Sequence, residues 1–174
     1  MFLTRVLTLL FVAALVTAAP ATRAHEASFR VMSYNIRVDV PTDNPTWTER
    51  RPHMAAQIAF HDPDILGVQE AHSAMVGYLA DRLPAYDRYG LGRDDGGPVG
   101  ETTTLFWKRD RFEALRTRTF WCSPTPEVPS KGWDAAYPRT VTQVVLRDRR
   151  DRRLLDGRNT HFDHVGATAR EECA

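Results

Sequence analysis

Short apolar segments alternate with polar and glycine-rich stretches along most of this chain. In the first half, apolar and β-branched residues predict strands over Ser28–Ile36, Ile65–Gln69 and Tyr86–Leu91. The second of these segments is almost continuously apolar, which is typical of a strand buried on both faces. The second half predicts four more strands, over Thr102–Trp107, Phe112–Trp121, Val141–Leu146 and Leu154–Phe162.

Helical spacing of apolar residues lies between the early strands. It predicts helices over Pro52–Phe60 and Ala74–Leu83, and a further helix that begins near Ala167. The main helix is predicted to begin at Pro52 because proline suits a first turn better than a helix interior. Thr46 and Glu49 have the spacing of a capping box, which would allow an earlier helix or turn. Alternating strands and helices followed mostly by strands indicate an α/β (α+β) fold with at least one mixed sheet.

The first 24 residues have the pattern of a secretory signal peptide. Met1–Ala24 contains no acidic residue, and an apolar run over Val6–Ala19 precedes the small residues around Ala24. The run is shorter than the roughly 20 apolar residues that a membrane-spanning helix needs, so cleavage is favoured over anchoring. We therefore expect a signal peptide at 1–24 and a domain at 25–174 that is secreted or periplasmic, with no stable membrane span after cleavage.

Length and charge narrow the class of protein. A chain of 174 residues is long enough for one ordinary domain, and its 43% apolar and 26% charged residues are typical of a globular protein. The 23 basic and 22 acidic residues nearly cancel, which excludes a protein held on nucleic acid by charge alone. The sequence leaves open whether Cys122 and Cys173 pair or remain free buried thiols.

Three polar clusters follow apolar strand segments and are the candidates for chemistry. They are Ser33–Asn35, Gln69–Glu70 and Asn159–His164. In α/β proteins active sites gather at strand ends, carboxylate and amide oxygens suit Mg²⁺, and a His/Asp/His cluster suits acid–base work or phosphate contact. Taken singly, each cluster also has another interpretation. Asn35 would be a turn residue, Glu70 would be a solvated or ion-paired surface residue, and Asn159–His164 would be a loop or a transition-metal site.

The order of the three clusters resembles the endonuclease/exonuclease/phosphatase family of metal-dependent phosphoesterases. The segments that carry the resemblance are Val31–Arg37, Pro63–Glu70 and Asn159–His164, with further matches at Gly100–Glu101, Leu105–Trp107, Phe120–Trp121, Trp133–Ala136 and Arg139–Thr140. The resemblance runs from Phe29 to the end of the chain. It implies the N-terminal portion of a two-sheet β-sandwich flanked by helices.

The resemblance also implies a metal site and a phosphate-contacting histidine. Asn35 and Glu70 would bind Mg²⁺ (or Mn²⁺), with Glu70 as the main carboxylate ligand. His161 would contact the scissile phosphate as an acid or as a stabiliser of the transition state. Glu101 resembles the carboxylate that orients this histidine, although a loop-edge acid is the ordinary interpretation of such a residue.

Three further residues of the motifs complete the expected site. Arg139 resembles a phosphate-contacting arginine, and a strand-edge ion pair is the equally weighted alternative. Asp163 and His164 belong to the same motif as His161 and are expected to orient the loop that carries it. Together these groups would aim positive charge and hydrogen-bond donors at the phosphate oxygens.

The sequence departs from the family in two ways. The family continues into a Gly-Asp-x-Asn segment and a Ser-Asp-His segment, and the 174 residues contain neither. In addition, Asp156 and Arg158 flank Gly157 in a strand that is usually apolar, and Gln143 lies where the family commonly has tryptophan. We expect these polar residues to weaken the strand that precedes His161.

The expected function is therefore that of a secreted Mg²⁺-dependent phosphoesterase whose domain at 25–174 is incomplete and inactive as this fragment. The alternative is a non-catalytic remnant or a module that binds phosphorylated ligands. The partner would be a phosphodiester or phosphomonoester substrate, either nucleic acid or a small phosphorylated molecule. The sequence leaves the substrate and the oligomeric state open.

Overall fold

A computed structural model describes residues 28–174, so the predicted signal peptide at 1–24 lies outside the described residues. The described part forms two β-sheets and three helices. In chain order, the elements are β1 (Val31–Asn35), α1 (Trp47–His61), β2 (Ile65–Gln69), α2 (Ser73–Arg82), β3 (Tyr86–Tyr89), β4 (Leu105–Lys108), β5 (Phe112–Trp121), β6 (Thr140–Asp148), β7 (Leu154–Thr160) and α3 (Ala167–Cys173).

The first sheet is mixed and the second is antiparallel. The first has the strand order β1-β2-β4-β3, in which β1 and β2 are parallel and the other two pairs are antiparallel. The second has the order β5-β6-β7 and consists of two successive antiparallel pairs. The predicted α/β (α+β) class with a mixed sheet is confirmed, and so are all seven predicted strands, with their ends shifted at most positions.

Two apolar cores divide the fold into layers. One core lies between the first sheet and the helices, where Leu66 and Val68 of β2 meet Ile58 of α1 and Leu79 of α2. The other lies between the sheets and joins Ile65, Leu105 and Trp107 to Phe112, Val144 and Leu146. Because side chains alternate along a strand, β2 supplies residues to both cores, and it is buried along its whole length. Within residues 28–174, none of the helices has both the length and the apolar character needed to cross a membrane.

Helix α1 begins earlier than the sequence predicted. It starts at Trp47, so the prediction of a start at Pro52 was wrong, and Pro52 lies inside the helix. Two interactions hold the turn ahead of the proline. Thr46 and Glu49 form the complete capping box, and the Arg50 guanidinium donates to the backbone carbonyl groups of Ile36, Arg37 and Val38.

A buried asparagine joins the two sheets. The Asn159 Nδ2 atom of β7 donates to the carbonyl oxygens of Val68 and Thr104, at 2.8 and 3.1 Å. Its Oδ1 atom accepts a hydrogen bond of 2.7 Å from Gln69 Nε2. A Cβ atom at Gly67 would lie 2.9 Å from the Asn159 side chain, so β2 needs glycine at this position for the sheets to approach.

The two cysteines pair with each other. Cys122 directly follows β5 and Cys173 ends α3, and the structure joins them in a disulfide with a Cα–Cα distance of 5.1 Å. The bond ties the last helix to the sheet, and Ala169 on the same helix is buried. Of the two possibilities that the sequence left open, the structure therefore shows pairing.

We predict that reduction of this disulfide lowers the free energy of unfolding by about 2–4 kcal/mol, because a bond that spans 51 residues restricts the unfolded chain. Urea unfolding of the oxidised and reduced protein measures the difference. The double variant Cys122→Ser/Cys173→Ser is the control, since its midpoint should match the reduced protein and should not respond to reductant. Equal midpoints for the oxidised and reduced protein would contradict the prediction.

Candidate active site

The carboxyl ends of β1 and β2 bring the first two candidate residues together. These strands are parallel, and Asn35 lies opposite Gln69. The segments that follow β1 and β2 therefore leave the sheet at the same end. Asn35 Nδ2 donates to Glu70 Oε1 at 2.8 Å, and the Val38 backbone N–H donates to Glu70 Oε2 at 2.9 Å. The Glu70 carboxylate is therefore held by one donor on each oxygen.

The backbone at this edge has an uncommon conformation. Glu70 has φ of 62° and Arg37 has φ of 55°, both in the left-handed region that side-chain-bearing residues rarely adopt. The Asn35 Oδ1 atom accepts from the Arg37 backbone N–H, at 2.9 Å, and so stabilises the turn after β1. Such strain is concentrated where a structure must place a functional group, and here it turns the Glu70 side chain toward Asn35.

The environment of Glu70 keeps its carboxyl group ionised. Burial raises the pKa of Glu70, but the hydrogen bonds from Asn35 and Val38 outweigh it, with further contributions from the charge of Arg37 and from His161 when that ring is protonated, so the net pKa lies below the usual value. The group is consequently a carboxylate at neutral pH. An ionised oxygen donor of this kind is what a hard divalent cation requires.

Arg139 organises the residues that follow β7. It is 5% exposed and lies immediately before β6, next to the end of β7. Its Nε atom donates to Asp163 Oδ2 at 3.1 Å, while Nη1 and Nη2 lie 3.1 Å from the Nδ1 atoms of His161 and His164. One buried guanidinium thus holds three of the predicted site residues.

This arrangement determines the protonation of His161. A guanidinium can only donate, so the Nδ1 atom of His161 accepts and the neutral ring carries its proton on Nε2. That Nε2 atom lies 3.8 Å from Glu70 Oε1. Burial lowers the pKa of His161, and the charge of Arg139 lowers it further against the opposing effects of Glu70 and Glu101. At neutral pH the ring is an N–H donor aimed at the space beside Glu70.

Asp163 offsets the buried charge of Arg139. Its side chain is fully buried and accepts hydrogen bonds from the backbone N–H groups of Ala136, Val165 and Gly166 as well as from Arg139. Burial raises the pKa of Asp163, but these four donors together bring it far below its ordinary value. Two of the bonds also shape the loop that leads into α3.

Of the two interpretations given to Arg139, a phosphate contact and a strand-edge ion pair, the structure shows an ion pair with Asp163, and Glu101 lies farther from His161 than hydrogen-bond distance. Glu101 Oε2 pairs with Arg93 Nη1 at 3.0 Å and lies 4.0 Å from His161 Nδ1, which is beyond hydrogen-bond distance. The group that orients His161 is therefore Arg139. Arg139 is buried and engaged by Asp163 and both histidines, although it also lines the cleft described below.

A cleft of about 380 Å³ opens over these groups. It is lined by Arg37, Val38, Glu70, Arg93, Glu101, Tyr137, Arg139, His161 and His164. Sequence reasoning missed Arg93 and Tyr137. The Tyr137 ring is half-exposed, lies 6.0 Å from the His164 ring in a stacked arrangement, and has the Arg93 guanidinium 4.8 Å from its centroid. Both residues lie outside regular elements, so no periodic pattern pointed to them.

A second, larger cavity lies away from this chemistry. It measures about 550 Å³ and is lined by residues of β3 and its neighbours, among them Tyr86, Tyr89, Trp107 and Arg109. It contains none of the seven residues predicted for the site. The convergence of charged and hydrogen-bonding groups, rather than size, identifies the cleft over Glu70 as the candidate site.

The cleft fits a divalent cation held by few protein ligands. Within residues 28–174, no group of three histidine, cysteine or acidic side chains is placed to hold a metal. Mg²⁺ commonly binds one or two carboxylates and takes its other ligands from water and substrate phosphate. The ionised Glu70, with Asn35 beside it at an open cleft, matches that pattern.

The chain was compared with protein families and with known proteins. No protein-family model and no curated protein matches it. Among solved structures it is similar to a mannosyl-6-phosphatase from Bacteroides thetaiotaomicron, at 38% identity and a TM-score of 0.81. It is also similar to an endonuclease/exonuclease/phosphatase family protein from the same species, at 37% identity, and to an endonuclease/exonuclease/phosphatase from Bacteroides vulgatus, at 38%, both with a TM-score of 0.81.

These similarities cover most of this chain and about half of each relative. The match to the mannosyl-6-phosphatase covers 84% of this chain and 56% of that one. The other two matches cover 83% of this chain and 54% and 56% of theirs. The predicted likeness in fold is thus confirmed over most of the chain, and the relatives contain a comparable length that it does not match.

We predict that Asp163→Asn destabilises the fold at neutral pH by about 3–5 kcal/mol, because Arg139 keeps its buried charge without a counter-charge. The variant should also lose acid sensitivity. A carboxyl whose folded pKa is depressed contributes stability above the unfolded pKa of about 3.9, and that stability is lost as pH falls toward the folded pKa. Melting temperatures between roughly pH 4.5 and 2.5 measure the two slopes.

The variant's melting temperature should fall less steeply with acid than that of the wild type. Asp87→Asn is the control, since it removes an exposed carboxylate paired only with Arg109, and it should keep the wild-type slope. Equal slopes for the wild type and Asp163→Asn would contradict the assignment of acid sensitivity to Asp163.

Proposed function

Since this chain belongs to the endonuclease/exonuclease/phosphatase family, we propose that the cleft over Glu70 is the phosphate-binding part of a Mg²⁺-dependent phosphoesterase active site. The observation that carries the proposal is the pairing across the cleft of an ionised carboxylate with a neutral histidine N–H donor. Glu70 Oε1 and His161 Nε2 lie 3.8 Å apart, at the ends of strands from two different sheets. Both groups line the same cleft, so a ligand held there would meet the carboxylate and the N–H donor together.

Glu70 and His161 would bind different parts of the ligand, the first a cation and the second a phosphate oxygen. Glu70, with Asn35 beside it, would hold the Mg²⁺ (or Mn²⁺) ion, which supplies positive charge that stabilises negative charge on the phosphate oxygens. His161 donates from Nε2 to a phosphate oxygen, and Arg139 keeps the ring in the tautomer that can do so. Because the ring is neutral, it stabilises charge by hydrogen bonding and does not deliver a proton from an imidazolium.

A small phosphate monoester is the substrate class that we favour. The relative at 38% identity is a mannosyl-6-phosphatase. The half-exposed Tyr137 ring at the rim of the cleft offers a flat apolar surface to a sugar ring. The near balance of 23 basic and 22 acidic residues lacks the excess of positive charge that nucleic-acid binding draws on.

Binding of a phosphorylated ligand without hydrolysis is the second candidate function. It rests on the same binding groups, Glu70 and His161, and needs no group that activates water. It is also favoured by the engagement of Glu101 with Arg93 and of Asp163 with Arg139, which leaves neither carboxylate available as a base for water. In this second candidate function, the chain by itself would bind the phosphorylated ligand and would not hydrolyse it.

We further propose that the protein works outside the cytoplasm. The disulfide between Cys122 and Cys173 supports this location, because structural disulfides persist in oxidising compartments. The signal-peptide pattern at 1–24 points the same way.

We predict that millimolar Mg²⁺ raises the melting temperature of the wild-type protein and that Glu70→Gln abolishes the rise, because the neutral amide cannot hold the ion. At a concentration of about 100 times Kd the stabilisation is about 2.7 kcal/mol. Glu113→Gln makes the same chemical change at a half-exposed pair with Arg147, away from the cleft, and should keep the full response. An unchanged response in Glu70→Gln would show that Glu70 is not the ligand.

We predict that any Mg²⁺-dependent hydrolysis of mannose 6-phosphate falls by about 10²–10³-fold in kcat/KM in His161→Ala, because a donor aimed at the phosphate is lost. Phosphate release measures the rate, and His53→Ala on the exposed side of α1 is the control. Saturable binding of the sugar phosphate without turnover would favour the second candidate. Neither binding nor turnover would overturn both.

A further inference from the structure

The cleft over Glu70 contains an ion pair that the proposed binding of cation and phosphate does not use. It joins Arg93 Nη1 to Glu101 Oε2 at 3.0 Å, and both residues line the cleft. The two side chains are largely buried, with 13% of Arg93 and 16% of Glu101 exposed. Charged groups that are removed from water need hydrogen-bond partners, so any donor or acceptor that this pair leaves unfilled needs a partner in the cleft.

The glycine-rich segment between β3 and β4 holds the pair in place. The Arg93 backbone N–H donates to the Glu101 carbonyl oxygen at 3.0 Å, and the Arg93 carbonyl oxygen accepts from Trp121 Nε1 at 2.7 Å. Gly100 has φ of 87°, and a Cβ atom there would clash with the Asp94 carboxylate. Glycine at this position therefore lets the segment fold back and bring Glu101 beside Arg93.

Arg93 has hydrogen-bond donors to spare. Of the five N–H groups of its guanidinium, only one on Nη1 has a protein acceptor among residues 28–174. The Nε atom is buried without a hydrogen-bond partner, and the Asp94 carboxylate lies 3.8 Å from it. Within the same residues, Nη2 and the Oε1 oxygen of Glu101 make no hydrogen bond either. The pair thus offers an unused donor and an unused acceptor at the wall of the cleft.

The charge of the pair favours a neutral ligand group over an anionic one. The Glu101 carboxylate neutralises the Arg93 guanidinium at 3.0 Å, and Asp94 lies nearby as a second carboxylate. A further anion would be repelled by both carboxylates, so the pair is poorly suited to a phosphate group. A hydroxyl group both donates and accepts, and two adjacent hydroxyls therefore match a donor and an acceptor that lie side by side.

The pair lies next to the groups proposed to bind phosphate. Glu101 Oε2 is 4.0 Å from His161 Nδ1, and a small recess is lined by Glu70, Arg93, Glu101 and His161 together. The Arg93 guanidinium also lies 4.8 Å from the centroid of the half-exposed Tyr137 ring. A ring that is attached to a phosphate beside His161 would therefore reach the pair with its hydroxyl groups.

We propose that the Arg93–Glu101 pair recognises two adjacent hydroxyl groups on the sugar ring of a hexose phosphate. Arg93 donates from Nη2 to one hydroxyl oxygen, and Glu101 Oε1 accepts from the other hydroxyl. This inference rests on the proposed function, because phosphate bound beside His161 is what brings the ring to the pair. The pair gives specificity, since an analogue without hydroxyls would leave both groups unpaired in a cleft from which it excludes water.

The test uses two phosphonates as probes, because their P–C bond is not hydrolysed and binding is measured independently of turnover. One probe carries the mannose ring, and the other carries a cyclohexane ring of similar size without hydroxyls. Titration calorimetry in millimolar Mg²⁺ measures the affinity of the 174-residue chain for each. We expect the wild type to bind the mannose probe about tenfold more tightly than the cyclohexane probe, or better.

Arg93→Lys and Glu101→Asp test the pair without changing the charge of the cleft. Lysine lacks the planar fork that can serve Glu101 and a hydroxyl together, and aspartate withdraws the acceptor by one methylene group. In each variant the preference for the mannose probe should fall to about twofold or less. Affinity for the cyclohexane probe should stay unchanged, which verifies that the variant is folded and still binds the phosphonate group.

Matched controls make the same changes at an ion pair away from the cleft. Arg147 and Glu113 form a half-exposed pair, so Arg147→Lys and Glu113→Asp should keep the full preference for the mannose probe.

The outcomes separate this inference from the proposed function. Equal affinity of the wild type for the two probes would overturn the inference alone, and so would an undiminished preference in both Arg93→Lys and Glu101→Asp. Equal loss of both probes in these variants would show that the pair binds the phosphonate end, which also contradicts the inference. Failure of both probes to bind the wild type would overturn the proposed function together with it.

Discussion

The position of the candidate site depends on the buried side chain of Asn159. Its amide donates to two carbonyl oxygens of the first sheet and accepts from Gln69, so every polar group that it brings into the interior has a partner. The residue after Gln69 is Glu70, and two residues after Asn159 comes His161. The network therefore sets the separation of the carboxylate from the histidine. An apolar side chain in place of Asn159 would leave Gln69 Nε2 without its shortest acceptor and would free β7 to shift along the first sheet.

Buried charge at the site is balanced within a small group of residues. Arg139 is a cation in the interior, and its cost is offset by one fully buried carboxylate, Asp163, which is itself held by three backbone donors. The remaining two nitrogens of the guanidinium lie 3.1 Å from the Nδ1 atoms of His161 and His164, and the Nδ1 atom of His161 accepts a hydrogen bond there. Burial and the permanent charge of Arg139 beside Nδ1 thus lower the pKa of His161 and favour the neutral ring, which carries its hydrogen-bond donor on Nε2.

Much of the fold and part of the site could be predicted from residue patterns. Alternation of apolar and polar residues located the strands, and the rule that parallel strands end at one edge of a sheet joined Asn35 to Glu70. The start of α1 was wrong because Arg50 and the capping box hold a turn ahead of Pro52, and such long-range contacts leave no local pattern. Arg93 and Tyr137 were missed for the same reason. The sequence predicted that Glu101 orients His161, whereas Arg139 lies beside it. The distances to His161 Nδ1 are 4.0 Å from Glu101 and 3.1 Å from Arg139, and residue spacing does not resolve a difference of about an ångström.

The polar residues of β7 illustrate how an apparent defect is explained by its surroundings. Asp156 and Arg158 were expected to weaken the strand, but among residues 28–174 β7 is an edge strand and both side chains are exposed. There Asp156 accepts two hydrogen bonds from Gln143, at 2.8 and 3.0 Å, and pairs with Arg158 at 2.8 Å. The Arg158 pairing, followed by the bonds from Gln143, lowers the pKa of Asp156. The polar residues of β7 and Gln143, which all depart from the family pattern, therefore belong to one cross-strand interaction. Gly157 between them borders an apolar cleft of about 330 Å³ lined by Phe29, Leu105 and Leu155, where the absence of a side chain leaves the space open.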